Sequence, residues 1–293
     1  MTFEQLSIFV AVAEREHLTR AAAAIGLTPS AVSAAIRNLE AEYSVSLFNR
    51  VGRRIELTPA GRSFLGEARA TLARARQAEL VLSEMGGLQR GELAVAASQT
   101  TAAYWLPPVL MRFRESYGGI ELSLTVGNTR QVAERVVEGL AEVGFIEGEI
   151  DVPALSVRDM AEDALIVVVA PGHPWADGRK VSTEELATGT RWVMREDGSG
   201  TRSAFENEVR NRGVDPARLD VALVLPSNEA VLSAVRAGRC ATAISRLAAM
   251  PLLGQRLLVQ AGAEPVRRTF RLLSHQERPL SRAAEELARL CRS

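Results

Sequence analysis

One lysine, Lys180, and two cysteines, Cys240 and Cys291, are all that this 293-residue chain holds of either type. Lys180 lies in no G-x-x-x-x-G-K pattern, which excludes a phosphate-binding P-loop with its obligatory lysine. The cysteines are far apart and form no C-x-x-C, so they build neither a zinc site nor a redox pair. Reduced or incidental thiols fit a cytoplasmic protein. Histidine is nearly as scarce. His17, His173 and His275 are nowhere at ligand spacing, and surface or helix-capping roles suit them better than metal binding or catalysis. G-x-S-x-G and H-E-x-x-H are also missing, which removes two common catalytic arrangements. No apolar run approaches the roughly 18 residues of a membrane helix, and the N-terminus lacks a basic-then-apolar signal pattern. Net charge is zero, so bulk electrostatics announce no nucleic-acid partner.

What is present has the makeup of a soluble globular protein, with 47% apolar and 24% charged residues. The length suffices for two or three domains with cores of their own. Charge is unevenly spread. Residues 15–62 hold seven arginines against four glutamates, a local excess of +3 that a solvated face would also show. Within that stretch, Leu18 to Glu40 (LTRAAAAIGLTPSAVSAAIRNLE) is predicted to form two short helices joined by a tight turn. Thr19 is the expected first N-cap, and the alanine run behind it has high helix propensity. Gly26 ends that helix in the left-handed conformation. Thr28 caps the second helix, with Pro29 where a missing N–H costs nothing.

The second helix has two unlike faces. Val32, Ala35, Ile36 and Leu39 recur at helical spacing and should pack inward. Ser30, Ser33, Ala34 and Arg37 share the other side, small and polar with one long cation. Such a face suits the DNA major groove, where small residues permit close approach and arginine bonds guanine or phosphate. An ordinary amphipathic hairpin would share the pattern. Ahead of it, residues 2–14 open on a Thr-x-x-Gln capping box and carry a stripe of Phe3, Leu6, Phe9, Val10 and Ala13. Behind it, Leu47, Phe48, Ile55 and Leu57 read as anchors of two short strands with Asn49 to Arg54 as the loop. This is the outline of a wing, whose Arg50, Arg53 and Arg54 would meet phosphates or the minor groove. A charged hairpin tip without a partner is the plain alternative. Thr58 and Pro59 then start a helix in which Leu65, Ala68, Leu72, Ala75, Ala78, Leu82 and Met85 step by three and four. That seam would pair with another helix or pack on its own domain, and Gly86-Gly87 ends it.

The order of these parts resembles the LysR-type transcriptional regulators. The likeness is carried by AVSAAIRNLE, the wing LFNRVGRRIELTPAG, the long linker helix and a remainder of about 200 residues. It implies a winged helix-turn-helix over 1–58, a linker and dimerisation helix over 59–87, and an α/β effector domain folded like a periplasmic binding protein. Subdomain I would comprise 91–161 and 266–293, and subdomain II 162–265. Chain crossings near Met160 to Asp163 and Ala263 to Val266 would hinge them. The C-terminal helix, from about Pro279, would return to subdomain I.

The remaining residues support that domain independently. Segments 91–98, 120–126, 141–147, 164–170, 191–196, 219–225 and 240–245 read as buried strands. Helical patterns at 102–116, 129–140, 201–213 and 228–237 lie between several of them. Alternation of this kind predicts parallel sheets with helices on both faces. Open sheets of that sort bind ligands at the carboxyl ends of strands. Four such junctions are polar: Ser98-Gln99-Thr100-Thr101, Gly127-Asn128-Thr129, Asp197-Gly198-Ser199-Gly200-Thr201-Arg202 and Pro226-Ser227-Asn228-Glu229. Helix N–H groups, dipole ends and hydroxyls are the chemistry of an anion site, although each residue is also an ordinary cap.

By the resemblance, Ser98, Thr100 and Thr101 fall where effectors bind in subdomain I. Ser199, Thr201 and Arg202 with Ser227 and Asn228 fall on the facing rim. Asn128 and Glu147 lie near the same cleft, and Glu147 would either work against an anion or bind a cation. GSGTR also resembles the branch of the family that regulates sulfur assimilation and carbon fixation. Sulfite, sulfate, phosphate or a small carboxylate or phosphorylated metabolite is therefore the expected effector class, with no cofactor or metal.

These observations predict a ligand-responsive regulator that is not an enzyme. Its expected partners are double-stranded promoter DNA, a second copy through the linker helix, a further dimer completing a homotetramer, and RNA polymerase. Thr28, Ser30, Arg50 and Arg53 would hold the DNA backbone while Ser33 and Arg37 read bases. A small-molecule binding protein whose helical N-terminus only oligomerises would bind DNA weakly and without sequence preference. An enzyme built on GSGTR would need a base, and only Ser199, Glu196 and Asp197 lie near, without histidine.

Overall fold

The computed structural model describes residues 1–51, 54–85 and 91–292. They form two compact units, one built on residues 1–85 and the other on most of the remainder. In the first, α1 (Phe3–Arg15), α2 (Leu18–Ala24) and α3 (Pro29–Tyr43) are followed by β1 (Phe48–Val51), β2 (Arg54–Leu57) and α4 (Pro59–Met85). Leu6, Phe9, Val12, Val32, Ile36 and Leu39 are buried together with Leu47 and Ile55. The Phe9 ring lies 5.5 Å from Phe48 and 4.9 Å from Phe64, tying helix, wing and α4 to one core.

Local rules account for the joints. Thr2 and Gln5 make the capping box at α1, Gly26 takes φ +69°, and Thr28 caps α3 with Pro29 in its first turn. Glu40 near the end of α3 accepts the Leu47 and Phe48 N–H groups at 2.7 and 3.1 Å, which sets where the wing leaves the helix. Thr58 caps α4 through Gly61 N–H. A Cβ at Gly61 would meet the Leu47 carbonyl oxygen at 2.1 Å, so only glycine lets α4 begin against the wing.

Four expectations here need correction. α2 starts a residue before Thr19, and His17 caps it by accepting the Arg20 N–H through Nδ1. Phe3 is 60% exposed, because the buried stripe of α1 runs instead through Leu6, Ile8, Phe9, Val12 and Ala13. The wing strands extend to Val51 and Arg54, into the stretch expected as loop; residues 52–53 and 86–90, the expected Gly86-Gly87 break included, lie outside the described residues. The α4 seam divides: Leu65, Ala68 and Leu72 pack on the core of their own unit, while Leu82 is 69% exposed.

The second unit runs β3 (Gly91–Ser98), α5 (Gln99–Tyr104), α6 (Leu106–Ser116), β4 (Ile120–Gly127), α7 (Thr129–Val137), β5 (Val143–Glu147) and β6 (Leu155–Val169). It continues with α8 (Thr183–Thr188), β7 (Arg191–Arg195), α9 (Gly200–Asn211), β8 (Asp220–Leu225), α10 (Asn228–Ala237), β9 (Cys240–Ser245) and α11 (Arg246–Gly254). The short β10 (Val259–Gln260), the long β11 (Val266–His275) and α12 (Arg282–Leu290) complete it. One sheet of nine strands orders as β4-β3-β5-β11-β6-β9-β7-β8, with β10 on β6.

This is a mixed sheet, not the parallel sheets expected. Pairing is parallel within β4-β3-β5 (lobe I) and within β9-β7-β8 (lobe II), but β6 and β11 run antiparallel to each other and to their outer neighbours. Met160 to Asp163, one of the two expected crossings, lies in the middle of β6, and Val266, at the other, starts β11. β4 and β8 are edge strands and not buried: Val126, Leu223 and Val224 are each about half exposed. α8 and α11 were not anticipated, and the expected 102–116 helix is interrupted at Trp105. Lobe I packs Leu93, Val95, Phe113, Phe145 and Leu287. Lobe II packs Trp175, Trp192, Phe205 and Val209 on one sheet face and Val231, Val235 and Ile244 on the other.

Candidate effector cleft and nucleic-acid interface

The exposed side of α3 carries the residues expected to meet DNA. Thr28 and Ser30 are exposed and their hydroxyls lie 3.1 Å apart. Ser33 and Ala34 are half-buried, and exposed Arg37 donates from Nη1 to Ser33 Oγ at 2.8 Å. Arg50 pairs opposite Ile55 and Arg54 opposite Val51 in the wing ladder, while Arg53 lies outside the described residues.

In the second unit, the polar strand ends converge where the two lobes meet. Ser98 caps α5, and its Oγ bonds Glu147 Oε2 and lies 2.9 Å from Thr101 Oγ1. Thr101 Oγ1 also donates to the Phe145 carbonyl at 3.0 Å. From lobe II, Thr201 in the first turn of α9 donates to Glu147 Oε1 at 3.3 Å. Asn228 donates from Nδ2 to Thr100 Oγ1 at 3.2 Å, and its own N–H reaches Gln99 at 3.0 Å. Asn128 turns toward the same rim, with Nδ2 at 3.3 Å from Glu196 Oε1. Ser98, Thr100, Thr101, Glu147, Ser199, Thr201 and Asn228 are all at least 98% buried.

Two expected members stand apart. Arg202 spends its guanidinium on Glu206 one turn along α9, at 2.7 Å, and on the Arg195 carbonyl. Ser227 caps α10 through the Ala230 N–H and faces nothing across the cleft among its described hydrogen bonds. The cations that do reach the cluster are residues the sequence did not single out. Arg268 on β11 donates from Nη1 to Thr201 Oγ1 at 3.1 Å and from Nε to Asp163 Oδ2 at 2.7 Å, with Glu147 Oε1 4.0 Å away. Ser245 holds the other Asp163 oxygen at 2.9 Å. Arg195 donates to Asn228 Oδ1 at 2.6 Å and pairs with Glu196.

The glycines of GSGTR serve a close approach, but to the protein itself. A Cβ at Gly200 would lie 2.0 Å from the Glu147 carbonyl oxygen and 2.5 Å from Thr129 Oγ1. Gly198 takes φ +83° against Asn128 and Arg130. The start of α9 thus rests directly on lobe I. Among the described residues, one hydroxyl in this region is buried without a partner: Ser199 Oγ, at the N-cap of α9.

Such a pairing, a winged helical reader with a two-lobed sensor domain, defines a ligand-controlled DNA-binding regulator. Comparison with known proteins fixes the family. Residues 3–62 match the bacterial regulatory helix-turn-helix protein, lysR family, and residues 86–293 match the LysR substrate binding domain. The chain therefore belongs to the LysR-type transcriptional regulators. It is 35% identical over 289 residues to the RuBisCO operon transcriptional regulator of Allochromatium vinosum, covering 97% of this chain and 93% of that one. It superimposes on full-length CbnR complexed with its target DNA with a TM-score of 0.70, at 22% identity, over 100% of this chain and 99% of that one. The regulatory domain of Synechocystis CcmR in complex with 2-PG aligns at TM-score 0.62 and 26% identity, over 69% of this chain and 96% of that one. Among the described residues no helix is long and apolar enough to cross a membrane, and no group of metal-binding side chains is found.

Proposed function

We propose that this LysR-type regulator senses a small anion in the cleft between its lobes and acts by binding alone, without turnover, on promoter DNA in the cytoplasm. The observation that carries the reading is the start of α9, where the buried, unpartnered Ser199 hydroxyl and the Thr201–Arg268 pair lie at a helix N-terminus with no side-chain cap. A helix N-terminus with hydroxyls and a guanidinium favours negative charge. Ser98, Thr100 and Thr101 supply the opposing donors from lobe I. The 2-PG complex of the CcmR regulatory domain supports the same ligand class.

Binding there would change the relative stability of two lobe arrangements, and so the way paired DNA-binding heads are held. Two chains joined through the exposed half of α4 would read inverted half-sites about 34 Å apart per helical turn. Pairing of dimers would span two sites. Ser33 and Arg37 read bases, while Thr28, Ser30, Arg50, Arg53 and Arg54 hold phosphates. Footprinting on the DNA upstream of the chain's own gene, with sulfite, sulfate, phosphate or a phosphorylated carboxylate added in turn, tests this. A protected pattern that changes with one anion is expected. Protection that no anion alters, or equal binding to random DNA, would overturn it.

A further inference from the structure

The donor set just described is not empty-handed. It already holds a carboxylate, and that carboxylate belongs to the chain. Glu147 closes β5 with a side chain only 2% exposed, and it accepts Ser98 Oγ from lobe I and Thr201 Oγ1 from lobe II. Thr201 in turn accepts from Arg268, so a guanidinium–hydroxyl–carboxylate relay runs from β11 through α9 to β5. Arg268 is not free to neutralise it fully, because Asp163 takes its Nε and a second close contact at 2.6 Å. Two carboxylates, Glu147 and Asp163, thus share the one guanidinium of Arg268, and the Glu147 charge is the less closely matched. A second anion placed against the same hydroxyls would meet that charge in a medium that screens it poorly.

Resting on the anion-sensing reading above, we infer that Glu147 is an intrachain competitor for the effector: its carboxylate occupies the seat of the ligand's anionic group and must leave before the ligand binds. Two consequences follow. The effector's working concentration is set high by a group whose own local concentration never falls. And the lobe-to-lobe contact made by Glu147 is the contact the ligand replaces, so binding and rearrangement are one event. A cation-sensing role for Glu147 is the rival, and it predicts the opposite effect of removing the charge.

The test is isothermal titration of the full chain with sulfate and with inorganic phosphate, on the natural protein, Glu147→Gln and Glu147→Asp. Glutamine keeps shape and an acceptor for the hydroxyls but removes the charge, and is expected to bind the anion at least tenfold more tightly. Aspartate keeps the charge but shortens the reach, and is expected to tighten binding by less. It also reads the proposal if the glutamine variant fails to fold. Anion binding by the natural protein that is unchanged or weakened in both variants would overturn the competitor role and leave anion sensing standing. Absence of binding to either anion in all three proteins would overturn both. Binding by Glu147→Gln alone would support competition in its strongest form.

Discussion

Arg37 and Ser33, one turn apart on the outer face of α3, hydrogen-bond each other at 2.8 Å. The arginine is thus held along the helix surface instead of projecting freely, which lowers the rotamer freedom lost when it docks. Its planar fork can still offer further N–H groups to a base.

Replacing Arg37 with alanine is expected to relax base preference at one operator position, costing about 1–3 kcal/mol there, while binding to other positions keeps its pattern. Affinities for a set of single-base operator variants would measure it. A loss shared evenly by all sequences would move Arg37 from base reading to phosphate contact.

Gly200→Ala addresses the joint between the lobes. Its methyl group would fall 2.0 Å from the Glu147 carbonyl oxygen, a backbone atom that cannot swing aside. Overpacking of this kind costs about 1–3 kcal/mol. The variant should melt earlier, bind operator DNA normally, and lose the ligand-dependent change in footprint. Normal ligand response in Gly200→Ala would show that α9 need not rest on β5 for sensing.

Much of this architecture is legible in local sequence, and what escapes has a common cause. Thr28-Pro29, Gly26 and the Thr2/Gln5 box announce themselves because a cap is decided within four residues. β6 was legible only from Ala164 onward. Its first half, with Arg158, Asp159 and Glu162, reads as polar connection because it pairs with β11 while exposing alternate side chains. Arg268 was missed for a related reason: its partner Asp163 lies 105 residues away, and no short-range pattern marks either as buried. Arg202 was chosen as the cation of GSGTR, and an ordinary i,i+4 pair with Glu206 claims it. The strand ends that gather Ser98, Thr101, Glu147 and Thr201 were found, since strand-to-helix junctions are visible in sequence; which cation serves them was not.

The Asp163–Arg268 pair should behave as a buried ion pair does, with side chains 1% and 3% exposed. Asp163→Ala removes the close partner of a buried guanidinium, leaving Arg268 only the more distant Glu147 carboxylate at 4.0 Å, and is expected to cost up to about 3–5 kcal/mol. The double replacement Asp163→Leu with Arg268→Met removes both charges and should recover most of that loss. Urea denaturation of the three proteins decides it. A double variant no more stable than Asp163→Ala would mean that the two residues do not act as a pair.

His173 gives the protein a defined pH dependence. It caps the turn at Pro174–Asp177, accepting the Trp175 N–H on Nδ1 at 3.1 Å while Nε2 meets Thr190 Oγ1 at 2.8 Å. Burial pushes the imidazole below its ordinary value. The unfolded chain takes up the proton near about pH 6.5, whereas the folded chain resists it until lower pH. This contribution is therefore fully present above that pH and is lost as pH falls below it, levelling off once the folded ring is protonated. His173→Asn keeps a cap acceptor and removes the titration. Urea midpoints measured downward from neutral pH should fall less steeply for the variant. Parallel curves would assign the slope to other groups.

Ser199 separates sensing from stability more cleanly than any other residue in the cleft. Its hydroxyl is buried with no partner, although it sits at an N-cap where serine normally bonds a helix N–H. An unsatisfied buried hydroxyl costs a protein about 1–3 kcal/mol, so its removal should leave stability unchanged or raise it. If that hydroxyl is held ready for an anion, Ser199→Ala forfeits one charge-assisted hydrogen bond of about 1.5–3 kcal/mol and weakens anion binding about ten- to a hundredfold. Arg202→Ala is the matched control on the same helix, since its guanidinium is engaged by Glu206, and it should leave ligand affinity close to that of the natural protein. Thermal melting and titration on both variants settle the matter. A Ser199→Ala protein that binds the anion as well as before, beside an Arg202→Ala protein that does not, would return the cation of the site to Arg202 and reduce Ser199 to a flaw in packing.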